Sequence, residues 1–262
     1  SIDRINDSMK YIQNLPQGGT AVGTGINTHP NFGNKIAKEL SEFSGINFKE
    51  AKNHFEAQST QDSILTVSSA LRSLSVSLSK IANDIRLLGS GPRAGIGELN
   101  IPAVQPGSSI MPGKVNPVIC ESLIQVCAQV IGNDQAILQG AQGSYFELNV
   151  MMPIIAHNLC QSIEILTTGS STFAQKGVDG LEIDDEMIKF WLERNTMLAT
   201  ALAPTIGYAA AAEIAKTAVA TGETVPMVAR RLTELSEDEL VSALDPAPMT
   251  EPGVRAGSGG GG

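Results

Sequence analysis

Residues 107–121 read GSSIMPGKVNPVICE, a glycine- and serine-rich loop that leads into a helix. Asn116 is typical of a helix cap and Pro117 of a first helical position, so the helix is predicted to begin at Pro117. Helix N-termini present unpaired N–H groups and partial positive charge, and Lys114 adds a full charge just before this one. The stretch therefore predicts a site for a carboxylate or a phosphate. A surface loop with a solvated lysine explains the spacing equally well.

A phosphate-binding P-loop is the nearest competing motif, and this stretch departs from it. That motif requires G-x-x-x-x-G-K followed by serine or threonine. Here Gly107 and Gly113 are separated by five residues, and Lys114 is followed by Val115. No strand-like run precedes the loop, so a P-loop is not predicted.

Five segments, spread over nearly the whole chain, resemble the fumarase/aspartase superfamily, whose members eliminate a group from the carbon β to a carboxylate. The signature loop of that superfamily is similar to GSSIMPGKVNP at 107–117. The other four segments are GGTAVGTGINTHP at 18–30, SGPRAGIGEL at 90–99, FELNV at 146–150 and IGYAAAAEIAK at 206–216. Gly113 before Lys114 resembles the class II fumarases, because aspartases usually carry alanine there.

The resemblance implies a reversible hydration of fumarate to L-malate. Water would be added and eliminated in the anti sense through a carbanion, stabilised as an aci-carboxylate. The chain would supply the signature-loop wall of a composite site that draws on three subunits of a homotetramer. Aspartate ammonia-lyase is one alternative, and a non-catalytic, truncated assembly module is another.

The resemblance also assigns roles to residues of the loop and of the helix after it. Ser108 would be the base that abstracts a proton from carbon, and Glu121 would orient and polarise a histidine from another part of the fold. The residues that would bind the dicarboxylate substrate are Ser109, Lys114, Val115 and Asn116. No metal and no cofactor is implied.

The histidine of the family's site has no counterpart in this sequence. It belongs to a segment ahead of Ser1, and none of His29, His54 and His157 matches its motif. The substrate-binding threonine, serine and asparagine motifs of the N-terminal part are missing too. The chain is therefore expected to be the C-terminal portion of a longer protein. His54 and His157 are predicted to be packed or exposed residues without a chemical role.

Helical periodicity predicts an all-α chain with no convincing β-strand. Apolar residues between 64 and 88 alternate spacings of three and four, which is a heptad seam. Its members are Ile64, Val67, Leu71, Leu74, Leu78, Ile81, Ile85 and Leu88. A helix of this kind needs partners along most of its length. The residues alone leave open whether those partners come from other subunits or from the same chain, and the family's tetrameric helical bundle favours other subunits.

The sequence predicts two domains. Residues 1–176 resemble the central long-helix bundle of the family, incomplete at its N-terminus, with the signature loop at 107–117. Residues 177–254 form a small helical domain, in which Trp191 is predicted to lie in the core, and residues 255–262 are a glycine-rich tail. The other helices are predicted at 1–15, 34–43, 117–139, 149–173, 184–194, 204–221, 225–235 and 236–244. Ser236 and Glu239 predict a capping box at the start of the last one.

Composition restricts partners and location. With 18 basic and 27 acidic residues the formal net charge is -9, which argues against nucleic acid as a partner. No apolar run reaches the length of a membrane span. An odd, sparse set of three cysteines suits a reducing compartment, so a cytoplasmic location is predicted, or a mitochondrial one in a eukaryote. Cys120 and Cys127 lie seven residues apart on one predicted helix and are expected in the core.

Overall fold

The computed structural model describes residues 1–107 and 110–251, and these form two compact units. Of the described residues, the first unit contains 1–90, 101–107 and 110–182, and the second contains 91–100 and 183–251. Ser108, Ser109 and the predicted tail at 255–262 lie outside the described residues. The division into domains at residues 176 and 177 stays a prediction.

The helices of the first unit confirm the predicted all-α class, with bounds shifted by a few residues. They are α1 (Ile2–Ile12), α2 (Phe32–Ser44), α3 (His54–Ser59), α4 (Asp62–Leu88), α5 (Val118–Gln142), α6 (Met152–Phe173) and a π-helical turn at Ala174–Val178. The two-residue strands β1 (Asn14–Leu15) and β2 (Lys49–Glu50) pair in parallel. These strands and α3 correct the sequence prediction. Elements this short span too few residues to show a period.

Helices α4, α5 and α6 pack together and form the core of the first unit. Near the end of α4, Ala82 shares an apolar cluster with Cys120 at the start of α5. Near the start of α4, Val67 shares a second cluster with Val130, midway along α5. Helices α4 and α5 therefore run antiparallel, and the end of α4 lies beside the start of α5.

The heptad seam of α4 is only partly covered within the chain. Val67 and Leu71 are buried, whereas Ile81 is 46% exposed and its neighbour Ala82 is fully buried. Ile81 therefore faces away from the helices of this chain, whereas Leu78 and Ile85, on either side of it in the seam, pack against the cluster that contains Ala82.

A polar cluster fixes the relative position of α4 and α5 inside the apolar core. The Asp134 carboxylate on α5 is 1% exposed, and its two oxygens accept hydrogen bonds from α4. Ser68 Oγ donates to Oδ1 at 2.6 Å, and Arg72 Nη1 donates to Oδ2 at 2.6 Å. A buried carboxylate is stable only where such donors meet it, so a shift of one helix along the other would leave Asp134 unpaired.

Replacing Asp134 with alanine tests this cluster. We expect the free energy of unfolding to fall by about 2–4 kcal/mol, because Ser68 would lose its acceptor and Arg72 its ion-pair partner. Asp84→Ala is the matched control, since Asp84 forms an exposed pair with Lys80 within α4. This substitution should lower the free energy of unfolding by less than about 0.5 kcal/mol. The measurement is urea unfolding followed by circular dichroism. Equal losses in the two variants would contradict the role of Asp134.

The second unit is a set of short helices. They are α7 (Asp185–Arg194), α8 (Ala203–Ile206), α9 (Tyr208–Thr221), α10 (Val225–Leu232) and α11 (Glu237–Ala243), with 3-10 turns at Thr196–Leu202 and Ala247–Thr250. Two-residue strands β3 (Leu99–Asn100) and β4 (Glu182–Ile183, which begins with the last residue of the first unit) complete the secondary structure of the described residues. In neither part of the described chain is any helix both long enough and apolar enough to cross a membrane.

The core of the second unit is aliphatic, with Leu202, Val225 and Val228 fully buried. The single helix predicted at 204–221 is wrong. Gly207, with φ of 85°, ends α8 and precedes α9, because a glycine with positive φ terminates a helix.

Trp191 is another correction, because it is 38% exposed rather than in the core. Its Nε1–H donates to the Ile96 carbonyl oxygen at 2.6 Å, and its ring packs edge-to-face on Phe190 with the centroids 5.1 Å apart. An indole N–H needs an acceptor, and here the acceptor is a loop carbonyl.

Three carboxylates of the second unit take part in charge-assisted contacts. The hydroxyl of Thr221 and the guanidinium of Arg231 lower the pKa of Glu223, and Arg230 lowers the pKa of Glu237. At the start of α11, Ser236 lowers the pKa of Glu239 within the predicted capping box, which is confirmed.

Acidification should therefore weaken the second unit. A carboxyl group whose pKa is lower in the folded state stabilises the fold above its unfolded pKa, and this stabilisation is lost as pH falls through the folded value. We expect thermal midpoints to fall between about pH 5 and pH 3, and to fall less in an Arg230→Gln, Arg231→Gln double variant. High salt should also flatten the profile. Parallel pH profiles for the two proteins would contradict the assignment.

Candidate functional site

The described part of the signature loop forms a tight turn in front of α5. Lys114 N–H donates to the Met111 carbonyl oxygen at 3.2 Å, and Gly113 between them has φ of 80°. Lys114 and Val115 are exposed, and Asn116 is half-buried. The loop thus presents its lysine at the surface immediately before the helix.

Helix α5 begins one residue later than predicted. Pro117 occupies the cap position with φ of -78° and no side-chain cap, and Val118 is the first helical residue. Asn116 instead contributes its carbonyl oxygen, which accepts from Val118 N–H at 2.8 Å. The rigid φ of proline suits the residue that enters a helix, so the N-terminal turn is set by the backbone rather than by an asparagine side chain.

The first turn of α5 carries Glu121, and its inward face is anchored in the core. Glu121 N–H donates to the Pro117 carbonyl oxygen at 3.1 Å, and the Glu121 side chain is half-buried. Its neighbour Cys120 is fully buried beside Leu123 and Phe173, as predicted for this cysteine. The packing of Cys120 in the core therefore fixes the backbone of this turn, and with it the point from which the Glu121 side chain extends.

Arg86 is a charge near this helix start that sequence reasoning missed. It lies in the last turn of α4. Burial raises the pKa of the Cys120 thiol, an effect that the positive charge of Arg86 opposes and the Glu121 carboxylate reinforces. Only the antiparallel packing of α4 on α5 brings this guanidinium close, so no local pattern could have indicated it.

The predicted site residues differ in how far the structure describes them. Lys114, Val115, Asn116 and Glu121 lie within eight residues at the entrance to α5. Ser108 and Ser109 lie outside the described residues. All six assignments stay predictions, since they rest on the resemblance.

The histidines lie apart from the signature loop in sequence. His29 is exposed, with its Nδ1 accepting from Asn31 N–H at 3.1 Å. His54 Nε2 lies 3.1 Å from the Gln17 carbonyl oxygen and 3.4 Å from Glu50 Oε1, and His157 is exposed on α6. Across residues 1–107 and 110–251, no cluster of three or more potential metal ligands occurs.

Thiol labelling tests the packing at the start of α5. Cys120 and Cys127 are buried, and burial raises the pKa of both thiols, whereas Cys160 is exposed. Because the thiolate is the reactive form, we expect one fast reaction per chain with N-ethylmaleimide near about pH 8, at Cys160. Mass mapping would locate the adduct, and Cys160→Ser should remove the fast phase. Fast labelling of Cys120 would contradict the packing described for this turn.

Comparison with known proteins places this helical bundle and its loop among the lyases. The lyase family model matches residues 1–132, half of the chain, and the model of the fumarase C C-terminus matches residues 198–251. The chain therefore belongs to the lyase family, and the resemblance to the class II fumarases of the fumarase/aspartase superfamily is confirmed.

Its relatives include class II fumarate hydratases from several bacteria. That of Xylella fastidiosa strain Temecula1 is 47% identical over 259 residues, which are 99% of this chain and 55% of the relative. That of Methylorubrum extorquens is 48% identical over 250 residues, 95% of this chain and 53% of the relative. The chain spans about half the length of the curated relatives it matches.

Solved structures agree with these relatives. The fumarate lyase/delta-crystallin protein of Brucella melitensis, crystallised with cobalt, superimposes with a TM-score of 0.91 at 45% identity, covering 96% of this chain and 54% of that one. The class II fumarase of Schistosoma mansoni gives a TM-score of 0.89 at 35% identity, with 95% and 55% covered. The predicted incomplete fumarase bundle with a helical C-terminal part is thereby confirmed as the fold class.

Proposed function

We propose that this chain forms the signature-loop wall of an active site that reversibly hydrates fumarate to L-malate. The observation that carries the proposal is the loop at 107–117, which delivers an exposed lysine to the start of a 25-residue helix whose inward face is fixed in the core. The relatives named class II fumarate hydratase support the choice of reaction. They favour addition of water over the addition of ammonia that an aspartase would catalyse.

The difficult step is removal of a weakly acidic proton from the carbon beside a carboxylate of malate. In the proposed mechanism the ionised Oγ of Ser108 takes this proton and becomes a hydroxyl. The electron pair of the broken C–H bond moves onto the neighbouring carboxylate to give a dianionic aci-carboxylate. Hydroxide then leaves from the adjacent carbon, takes up a proton from solvent and departs as water, which leaves fumarate. The proton on Ser108 is released to solvent to complete the cycle. A serine needs concentrated positive charge nearby to act as a base, because its ordinary pKa is far too high.

The residues around the helix start suit this electrostatic requirement. Lys114 would pair with a substrate carboxylate, and the attraction between the two groups increases as the second negative charge develops on the carboxylate. Asn116 and the backbone of Val115 would donate hydrogen bonds to the same group, and Ser109 would bind through its hydroxyl or its N–H. The positive end of α5 adds to the field. This placement matters because the whole chain carries a net charge of -9 and would otherwise repel a dianion.

Glu121 would act on the substrate only through another residue. Its carboxylate would orient and polarise a histidine contributed by a segment outside this chain. The half-buried position of Glu121 on a turn anchored by Cys120 supports a residue that holds one orientation. It is a positioning residue in this scheme.

A homotetramer is the proposed assembly, with dicarboxylates as the small-molecule substrates. Apolar side chains exposed on α4 support it, with Val76 at 57%, Ile81 at 46% and Leu87 at 60% exposure. A bundle shared between subunits would cover these exposed side chains, of which Ile81 belongs to the seam. A cytoplasmic location belongs to the same proposal, or a mitochondrial one in a eukaryote, and three free thiols suit a reducing compartment.

Complementation tests the function. This chain would be co-expressed with the N-terminal part of the Xylella fastidiosa fumarate hydratase that it does not cover, and the purified mixture assayed for malate-dependent fumarate absorbance. We expect activity in the mixture and none in either part alone. An inactive but fully assembled mixture would contradict the proposal and favour an assembly module. Consumption of fumarate that requires ammonia would instead identify an aspartase.

Lys114→Ala, introduced into the same mixture, tests the proposed role of the loop. We expect kcat/KM to fall by at least about 100-fold, because the developing dianion would lose its charge partner. Lys38→Ala is the control, since Lys38 is an exposed lysine on α2 whose Nζ lies 3.8 Å from Glu42. Near-normal turnover in Lys114→Ala would rule out the carboxylate-binding role.

A further inference from the structure

Two residues of the signature loop, Gly107 and Lys114, approach each other through their backbones. Gly107 has φ of 91°, and a Cβ atom built on it would overlap the Lys114 carbonyl oxygen and lie 3.3 Å from the Lys114 carbonyl carbon. The amide of Lys114 is also engaged, because its N–H donates to the Met111 carbonyl oxygen at 3.2 Å. Both polar backbone atoms of Lys114 are thus constrained, one by the turn and one by the approach of Gly107.

A side chain at position 107 would disturb this arrangement in two ways. The positive φ is strained for any residue with a Cβ. In addition, a carbon and a carbonyl oxygen in contact stay more than about 3.3 Å apart, so Gly107 and Lys114 would have to separate by roughly 1 Å. The obstacle is backbone, which cannot rotate aside as a flexible side chain would.

Gly113 provides a matched comparison within the same loop. Its φ of 80° carries a similar conformational strain, but a Cβ built on it meets nothing within 4 Å. Alanine at 113 would therefore test the strain alone. Alanine at 107 would test the strain together with the overlap on Lys114.

We propose that Gly107 is a positioning residue for Lys114. Its missing side chain lets the loop close on the Lys114 carbonyl, and this closure fixes where the lysine side chain begins relative to α5. The consequence for catalysis rests on the proposed function, in which Lys114 binds the substrate carboxylate. Displacing a binding group by about 1 Å can cost on the order of 100-fold in rate.

Cleavage of the isolated chain tests the closure without reference to activity. A protease specific for lysine cuts the Lys114–Val115 bond, and its rate in each folded variant would be divided by the rate in the same variant unfolded in urea. We expect Gly107→Ala to raise this ratio several-fold over both the parent chain and Gly113→Ala. Mass spectrometry would assign the cut. Equal ratios in the two glycine variants would overturn the proposal.

Kinetics in the complemented mixture test the consequence. We expect Gly107→Ala to lower kcat/KM by about 10- to 100-fold with a raised KM for fumarate, while Gly113→Ala stays within a few-fold of the parent. A merely structural defect would lower the active fraction, and therefore kcat, with KM unchanged; that result would overturn the positioning role. An inactive parent mixture would overturn the proposed function, and the cleavage ratios would still decide whether Gly107 closes the loop.

Discussion

The antiparallel packing of α4 on α5 is the constraint on which the rest of the first unit depends. It buries Ala82 against Cys120 at one end and Val67 against Val130 at the other. Hydrophobic burial supplies the attraction but is tolerant of sliding, because one aliphatic side chain can replace another along a stripe. The Asp134 carboxylate removes that freedom, since its donors on α4 meet it at one register only.

A fixed register matters because it determines where α5 begins. The start of α5 lies beside the end of α4, so the positive end of one helix and Arg86 in the last turn of the other are brought together. Packing thus adds a positive field to a helix start that also carries the Glu121 carboxylate. The proposed chemistry depends on such a field, because the intermediate carries an extra negative charge next to a weak base.

The loop in front of α5 combines exposure with restraint. Lys114 is exposed and reaches solvent, yet the turn at Met111 and the close approach of Gly107 constrain its backbone. A lysine side chain has many rotamers, so its useful positions are limited mainly by where the backbone holds its Cα. The remaining walls of the proposed site would come from segments and subunits beyond this chain.

Much of this protein could be predicted from sequence, because the relevant signals are local. Apolar periodicity predicted the long helices, Ser236 and Glu239 predicted a capping box, and the spacing of Cys120 and Cys127 predicted a shared buried face. Features that depend on which surfaces meet could not be predicted in this way. The exposure of Trp191 is one of them.

The sequence by itself determined the helical class, the order of the long elements and the loop that resembles the lyase signature. These follow from spacing and from residue chemistry within a few turns of chain. The tertiary structure decided that Asp134 is buried against Arg72, that Arg86 lies near Cys120, and that Gly107 touches Lys114. Each of these contacts joins residues whose approach depends on packing or on the path of a loop. The local periodicity of a sequence predicts secondary structure, but it does not predict which of these residues come together.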